Sequence, residues 1–237
     1  MLHPNVHSNP VPSSTQSRKG ARGLALLSDE SQGRERVEAF IKDKYYNVHQ
    51  AELEEFLPLI LGVLKENLPV CAVGLRPGQH RPMFLEQYLD APIEQLVAGV
   101  CHRPVERCSL IEIGNLAIAG SGYGPVLMTL IAAALQRAGF EWMVFTVTTH
   151  VERLIRRLGF NPVYLAHASK DKLKKDASSW GRYYENNPKV MVGDLKTAQA
   201  IIEKSTFFSS IVSEFEQEID LVASVLRDHR HTQRSTI

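Results

Sequence analysis

Hydrophobic positions fall into short blocks along this chain, and their spacing separates helices from strands. Residues 1–33 carry Ser, Pro, Gly, Asn and Gln with little apolar periodicity, and a disordered tail is expected there. From residue 34 onward, Val37, Phe40, Ile41 and Tyr45 recur at helical spacing. Two apolar runs, 58–64 and 70–76, flank the turn-rich connector Lys65-Glu66-Asn67-Leu68-Pro69 and predict a β-hairpin. Residues 84–96 are mixed, with a helix expected to start near Asp90 or Pro92. The β-branched and apolar stretch 107–118 predicts a strand. After Gly120-Ser121-Gly122-Tyr123-Gly124-Pro125 comes a stretch, 126–138, that is apolar nearly all round. It predicts a helix buried against a sheet, with Pro125 at its first position and Gly139 at its end. Strands are expected at 142–148, 163–166 and 189–192, and a short helix at 151–158 ended by Gly159.

This order predicts an α/β or α+β sheet domain over 34–195. Beyond it, Phe208, Val212, Phe215, Ile219, Val222 and Leu226 follow alternating steps of four and three. One long amphipathic helix is expected over 196–228, followed by a tail at 229–237. Its stripe either packs on its own domain or forms the seam of a homodimer.

Composition narrows the function classes. At 237 residues the chain is short for two full domains. Its 27 Lys+Arg against 26 Asp+Glu give a net charge of +1, without the basic excess of a nucleic-acid-binding protein. The charge is uneven, however. Residues 137–182 are mostly basic and 194–228 mostly acidic. A basic face beside the glycine-rich turn would favour an anionic ligand, or is simply a solvated surface. The cysteines, Cys71, Cys101 and Cys108, fit no paired metal-ligand spacing, nor do the histidines. Reduced thiols point to a cytoplasmic protein. No apolar run is long enough for a transmembrane helix, and the start lacks a basic segment followed by an apolar one.

The strand, glycine turn and apolar helix form a unit that can carry chemistry. Amides at a helix N-terminus, with the helix dipole, attract anions, and glycines let them approach a phosphate. No Lys-Ser/Thr pair follows Gly124, so this is not a P-loop. No acidic residue ends the strand at Thr148-Thr149, so it is a poor dinucleotide fingerprint. A purely structural turn is the other reading.

Ile111-Glu112-Ile113-Gly114-Asn115-Leu116-Ala117-Ile118, the glycine turn, Phe145-Thr146-Val147-Thr148 and Arg156-Arg157-Leu158-Gly159-Phe160 together resemble the GNAT acyltransferase superfamily. More closely, the chain resembles the thermostable hemolysin family. The carrying segments are Arg36-Val37-Glu38-Ala39-Phe40-Ile41, Gly74-Leu75-Arg76, residues 84–94, residues 112–117 and Trp180-Gly181-Arg182-Tyr183-Tyr184. The match covers about 34–195. A looser likeness, through Arg76 and Glu112, is to the acyl-homoserine-lactone synthases.

The resemblance implies a mixed, mostly antiparallel twisted sheet flanked by helices. It implies transfer of an acyl group from a thioester to the amine of a small molecule. The co-substrate would be a coenzyme A thioester or the phosphopantetheine of an acyl carrier protein, with no metal and no permanently bound cofactor. Two strands would part to admit the thioester. Amides near Leu116 and Ile118 would polarise its carbonyl, beside Asn115. The amides of Gly120, Ser121, Gly122, Tyr123 and Gly124 would hold phosphate, helped by Arg156, Arg153 or Arg157. Glu112, between Ile111 and Ile113, is the candidate general base, or else is paired with an arginine such as Arg76. Arg76, Glu86, Tyr88 and Thr148 are candidate acceptor contacts. Alternatively, Glu86, Tyr88 and Glu94 cap and pin a helix, with Arg76 bridged to Glu86. His150 is a proton carrier or structural, and Trp180, Tyr183 and Tyr184 are packing or a platform. Two departures stand out: Ala119 replaces the usual Gln or Arg of the turn, and Ile155 replaces the family's tyrosine. The family name also suggests a membrane-active protein, and loss of catalysis would leave an interaction module.

Overall fold

The computed structural model describes residues 22–79, 82–120, 122–173 and 178–231. The tail expected over 1–21 and the end of the chain after 231 lie outside the described residues. In chain order the elements are β1 (Arg22–Leu27), α1 (Arg34–His49), β2 (Leu59–Lys65), β3 (Leu68–Pro77), α2 (Ile93–Cys101), β4 (Leu110–Ile118), α3 (Tyr123–Arg137), β5 (Trp142–Val147), α4 (Thr149–Arg157), β6 (Val163–His167), β7 (Lys189–Asp194), α5 (Leu195–Lys204), α6 (Thr206–Glu214) and α7 (Glu216–His231). A 3-10 turn, Phe84–Tyr88, precedes α2.

The strands form one sheet in the order β1-β2-β3-β4-β5-β7-β6, and β4–β5 is its parallel neighbour pair. The expected mixed, mostly antiparallel sheet is what the chain builds. The β2–β3 hairpin turns at Glu66 and Asn67, both at positive φ, the geometry that matches strand twist. The apolar helix α3 lies on one sheet face and is covered in turn by α5, α6 and α7. That double cover is why it is apolar all round. The other face carries α1 over β2–β4 and α2 over β5–β7.

Three expectations are corrected. Residues 22–27 are not tail but an edge strand, paired with β2 from Arg22↔Lys65 to Leu27↔Ile60. Only Leu24 of that strand is fully buried, so its alternation is faint. The long C-terminal helix is three helices. Ser205 caps α6 by accepting the Phe208 N–H, and the chain turns again at Phe215. The stripe cannot be a dimer seam, because Phe208, Phe215, Ile219, Val222 and Leu226 are buried against this chain's own α3 and β1. Finally, Pro125 is the third residue of α3 rather than the first.

Among the described residues no helix is long and apolar enough to cross a membrane, and no cluster could hold a metal ion.

Candidate functional site

β4 and β5 pair from Leu110↔Trp142 to Ile113↔Phe145 and then part. The cause is local. Asn115 sits at φ 50, a left-handed conformation that throws a bulge into β4 against β3. Its Oδ1 accepts the Leu57 N–H at 3.0 Å and packs on Gly74, where a Cβ would stand 2.7 Å from that oxygen. β5 continues alone through Thr146 and Val147, held by β7.

The gap opens into a cavity of about 430 Å³ that passes from one sheet face to the other. Toward α3 its walls are apolar: Met128, Ile131, Ala132, Phe145, Leu154 and Phe160. Toward α1 they are formed by the polar residues Lys44, Tyr45, His49, Thr146 and Tyr183, with Val48. Asn115, Leu116, Ile118, Gly120, Gly124 and Thr148 also line it, so these expected site residues are brought together.

The glycine turn is open. Gly120 and Gly122 have free space where a Cβ would point, and neither needs a positive φ. Its amides are fewer than expected. Tyr123 N–H already donates to Gly120 O at 3.2 Å, and Pro125 has no N–H. Among the described residues the Gly120, Gly122 and Gly124 amides have no main-chain acceptor, while Ser121 lies outside them. Arg156 is turned away, its guanidinium on Glu152 at 3.0 Å and Pro162 O at 3.1 Å.

Glu112, Arg76, Glu86 and Tyr88 do not line the cavity. Glu112 is buried, and its two oxygens accept the Phe84 and Leu85 N–H groups at 2.9 and 2.8 Å, with Arg76 at 3.7 Å. Burial pushes its carboxyl up to about 6, against the pull of Arg76 and the two amides. Arg76 donates to Pro82 O. Glu86 does not meet Arg76. It pairs with Arg107 at 2.6 Å and accepts the Met83 N–H, while Arg107 also holds Glu94 at 2.8 Å. Burial alone would raise the Glu86 pKa, but the Arg107 hydrogen bonds hold it below the usual range. Tyr88 is buried, its hydroxyl 2.6 Å from that of Tyr184. Glu86, Tyr88 and Glu94 therefore pin the 84–94 segment, as the alternative reading had it. His150 is exposed at the cavity rim.

Sequence reasoning missed Tyr45 and His49, which project from α1 into the α1 side of the gap. Burial keeps the Tyr45 phenol protonated, opposed in part by the Leu116 amide that faces it. Burial, then the Arg182 charge, lowers the His49 pKa. The ring of Tyr183 stands edge-on to His49 at 5.2 Å. The segment 180–184 is docked on the end of α1. Arg182 N–H donates to His49 O at 2.7 Å, and Gly181, at φ 50, leaves no room for a Cβ against the carbonyls of His49 and Gln50. The sequence signal was present: Trp180-Gly181-Arg182-Tyr183-Tyr184 was singled out without a partner.

Solved structures with the same fold include a CoA-dependent acyl-homoserine lactone synthase, BjaI, at 12% identity and TM-score 0.52, covering 78% of this chain and 89% of that one. The AHL synthase LasI matches at 10% identity and TM-score 0.52, over 74% and 91% of the two chains. FeeM, an N-acyl amino acid synthase from uncultured soil microbes, matches at 9% identity and TM-score 0.53, over 80% and 98%. At such identities the likeness shows the fold. No curated protein matches the chain significantly in sequence. The thermostable hemolysin model matches residues 27–199, most of the chain, and the protein belongs to that family.

Proposed function

We propose that this protein is an N-acyltransferase that moves an acyl group from a thioester to the amine of a small molecule. The observation that carries the reading is the cavity through the parted β4 and β5, apolar toward α3 and polar toward α1. Such a passage suits two substrates that meet from opposite faces, an acyl chain on one side and a polar acceptor on the other. The donor is an acyl-CoA or an acyl carrier protein, as suits a fold shared with a CoA-dependent acyl-homoserine lactone synthase and an N-acyl amino acid synthase. Its phosphates would lie at the open glycine turn, where the Gly122 and Gly124 amides and the start of α3 favour negative charge. Its carbonyl oxygen would lie at the bulge, near the Leu116 amide. The apolar wall supports chains longer than acetyl.

Glu112 serves in this reading as a buried anchor. Both its oxygens are engaged by main-chain N–H groups that fix the 84–94 segment against β4. The test is incubation of the purified protein with acyl-CoAs of graded length, and with acyl carrier proteins, against the twenty amino acids and simple amines. Thiol release that depends on both substrates is expected. Absence of thiol release with every pair would overturn the reading.

A further inference from the structure

We propose that His49 is the base that takes the proton from the acceptor nitrogen, and that His49 Nδ1 and Thr146 Oγ1 together hold the acceptor on the α1 side of the gap. The inference rests on the acyltransferase reading. Three buried side-chain polar atoms lack a partner among the described residues, and two of them, His49 Nδ1 and Thr146 Oγ1, belong to residues that line the same cavity. A buried polar atom left unpaired costs stability, so two such atoms on residues beside one space suit a polar ligand that a small side-chain shift would let them reach. They lie on different elements, the end of α1 and the free part of β5, and bracket the gap that admits the thioester.

Among the described residues no carboxylate lines the cavity. The titratable side chains there are Lys44, Tyr45, His49, His150 and Tyr183, with Arg182 close behind His49. Tyr45 and Tyr183 are held protonated by burial. His49 is the reverse: burial and Arg182 favour its neutral form, which with a proton on Nε2 leaves Nδ1 as an acceptor. The docked 180–184 segment fixes the end of α1, and so the imidazole.

In the step proposed, the neutral amine nitrogen attacks the thioester carbonyl carbon. The C–N bond forms, and the nitrogen's proton passes to His49 Nδ1. The electron pair on the carbonyl oxygen then re-forms the C=O bond as the C–S bond breaks. The leaving thiolate takes the proton from the imidazolium. Thioester plus amine thus becomes amide plus thiol, and His49 is restored.

The experiment compares wild type, His49→Gln, His49→Gly and His150→Gln with decanoyl-CoA and the amino-acid panel, reading thiol release across pH and decanoyl-CoA binding separately. His49→Gln is expected to bind the thioester as wild type does, to lose about a hundredfold or more in kcat, and to lose the acid limb of the pH profile. Added imidazole is expected to restore part of the rate to His49→Gly, which loss of structure alone would not allow. Wild-type kcat in His49→Gln, or an acid limb that disappears only in His150→Gln, would overturn the assignment while leaving the transferase reading intact. A wild type that releases no thiol at all overturns that reading instead, and this inference with it.

Discussion

Lengthening the acyl chain of the donor should raise kcat/KM by a steady factor per carbon until the cavity is full. Gly124, Met128, Ile131 and Ala132 line the apolar side along α3. At 1.5 Å per residue, Gly124 and Ala132 are about 12 Å apart along the helix, so the wall runs well past the glycine turn. Each methylene moved from water onto such a surface contributes about 0.8 kcal/mol, or about fourfold in kcat/KM. The assay is thiol release from acetyl-, butyryl-, hexanoyl-, octanoyl- and decanoyl-CoA at fixed acceptor. Ala132→Leu is the structural perturbation, because Ala132 is 2% exposed and its methyl lies far along the wall. Three added carbons there should displace two to three methylenes, cutting the decanoyl-to-acetyl preference by about 2 kcal/mol, roughly thirtyfold. A flat chain-length profile in wild type, or equal losses for acetyl and decanoyl in the variant, would refute the placement of the acyl chain.

Other perturbations test the supports of the site. Replacing Glu112 by Gln should change how stability varies with pH. The folded pKa, about 6, lies above the ordinary 4.5, so the folded state keeps this proton longer than the unfolded one, and wild type loses stability as pH rises between those values. Urea unfolding should show the difference between variant and wild type move about 2 kcal/mol in the variant's favour from pH 4 to pH 7, and no movement would mean the carboxyl is not desolvated. Arg107→Met leaves Glu86 and Glu94 facing each other without their shared cation, and should cost about 3 kcal/mol in the same assay. Gly181→Ala forces a Cβ against the carbonyls of His49 and Gln50 at a positive φ. It should cost about 1–3 kcal/mol and lower acyl transfer more than thioester binding, and an unchanged melting curve would count against the docking role of that segment.

Most of the sheet was legible because its strands carry continuous apolar runs bounded by turns, as at 58–64 and 70–76. β1 was not, because an edge strand half-covered on both faces shows little alternation. The breaks at Ser205 and Phe215 were hidden for a different reason. The three C-terminal helices all turn their apolar side toward α3, and from Phe208 onward the four-three stepping runs through the corner at Phe215 unbroken. At the site, the parting of β4 and β5 and the glycine turn followed from the family resemblance. A bridge from Arg76 to Glu86 was one of two readings of Arg76, but Arg107, outside both family segments, holds Glu86. His49 was invisible because it ends a helix whose surface is largely polar. Its place in the cavity wall, edge-on to Tyr183, is set by the fold.

A single backbone irregularity accounts for both halves of the proposed chemistry. If Asn115 kept extended geometry, Gly114 would follow Ile113 into register with β5, and the ladder would close at Thr146. The left-handed turn at Asn115 instead rotates the Leu116 amide toward Tyr45 and leaves the side chain of Thr146 facing an opening. The cost of that conformation is offset by the Leu57 N–H bond to Oδ1, possible only because Gly74 gives the side chain room. Asn tolerates positive φ and supplies the acceptor, so one residue satisfies both demands. An alanine there would lose the hydrogen bond and keep the strain, and the gap would tend to zip shut. The carbonyl-polarising amide, the acceptor side and the passage for the acyl chain are then lost together, so their coupling is a property of β4 rather than of any one catalytic side chain.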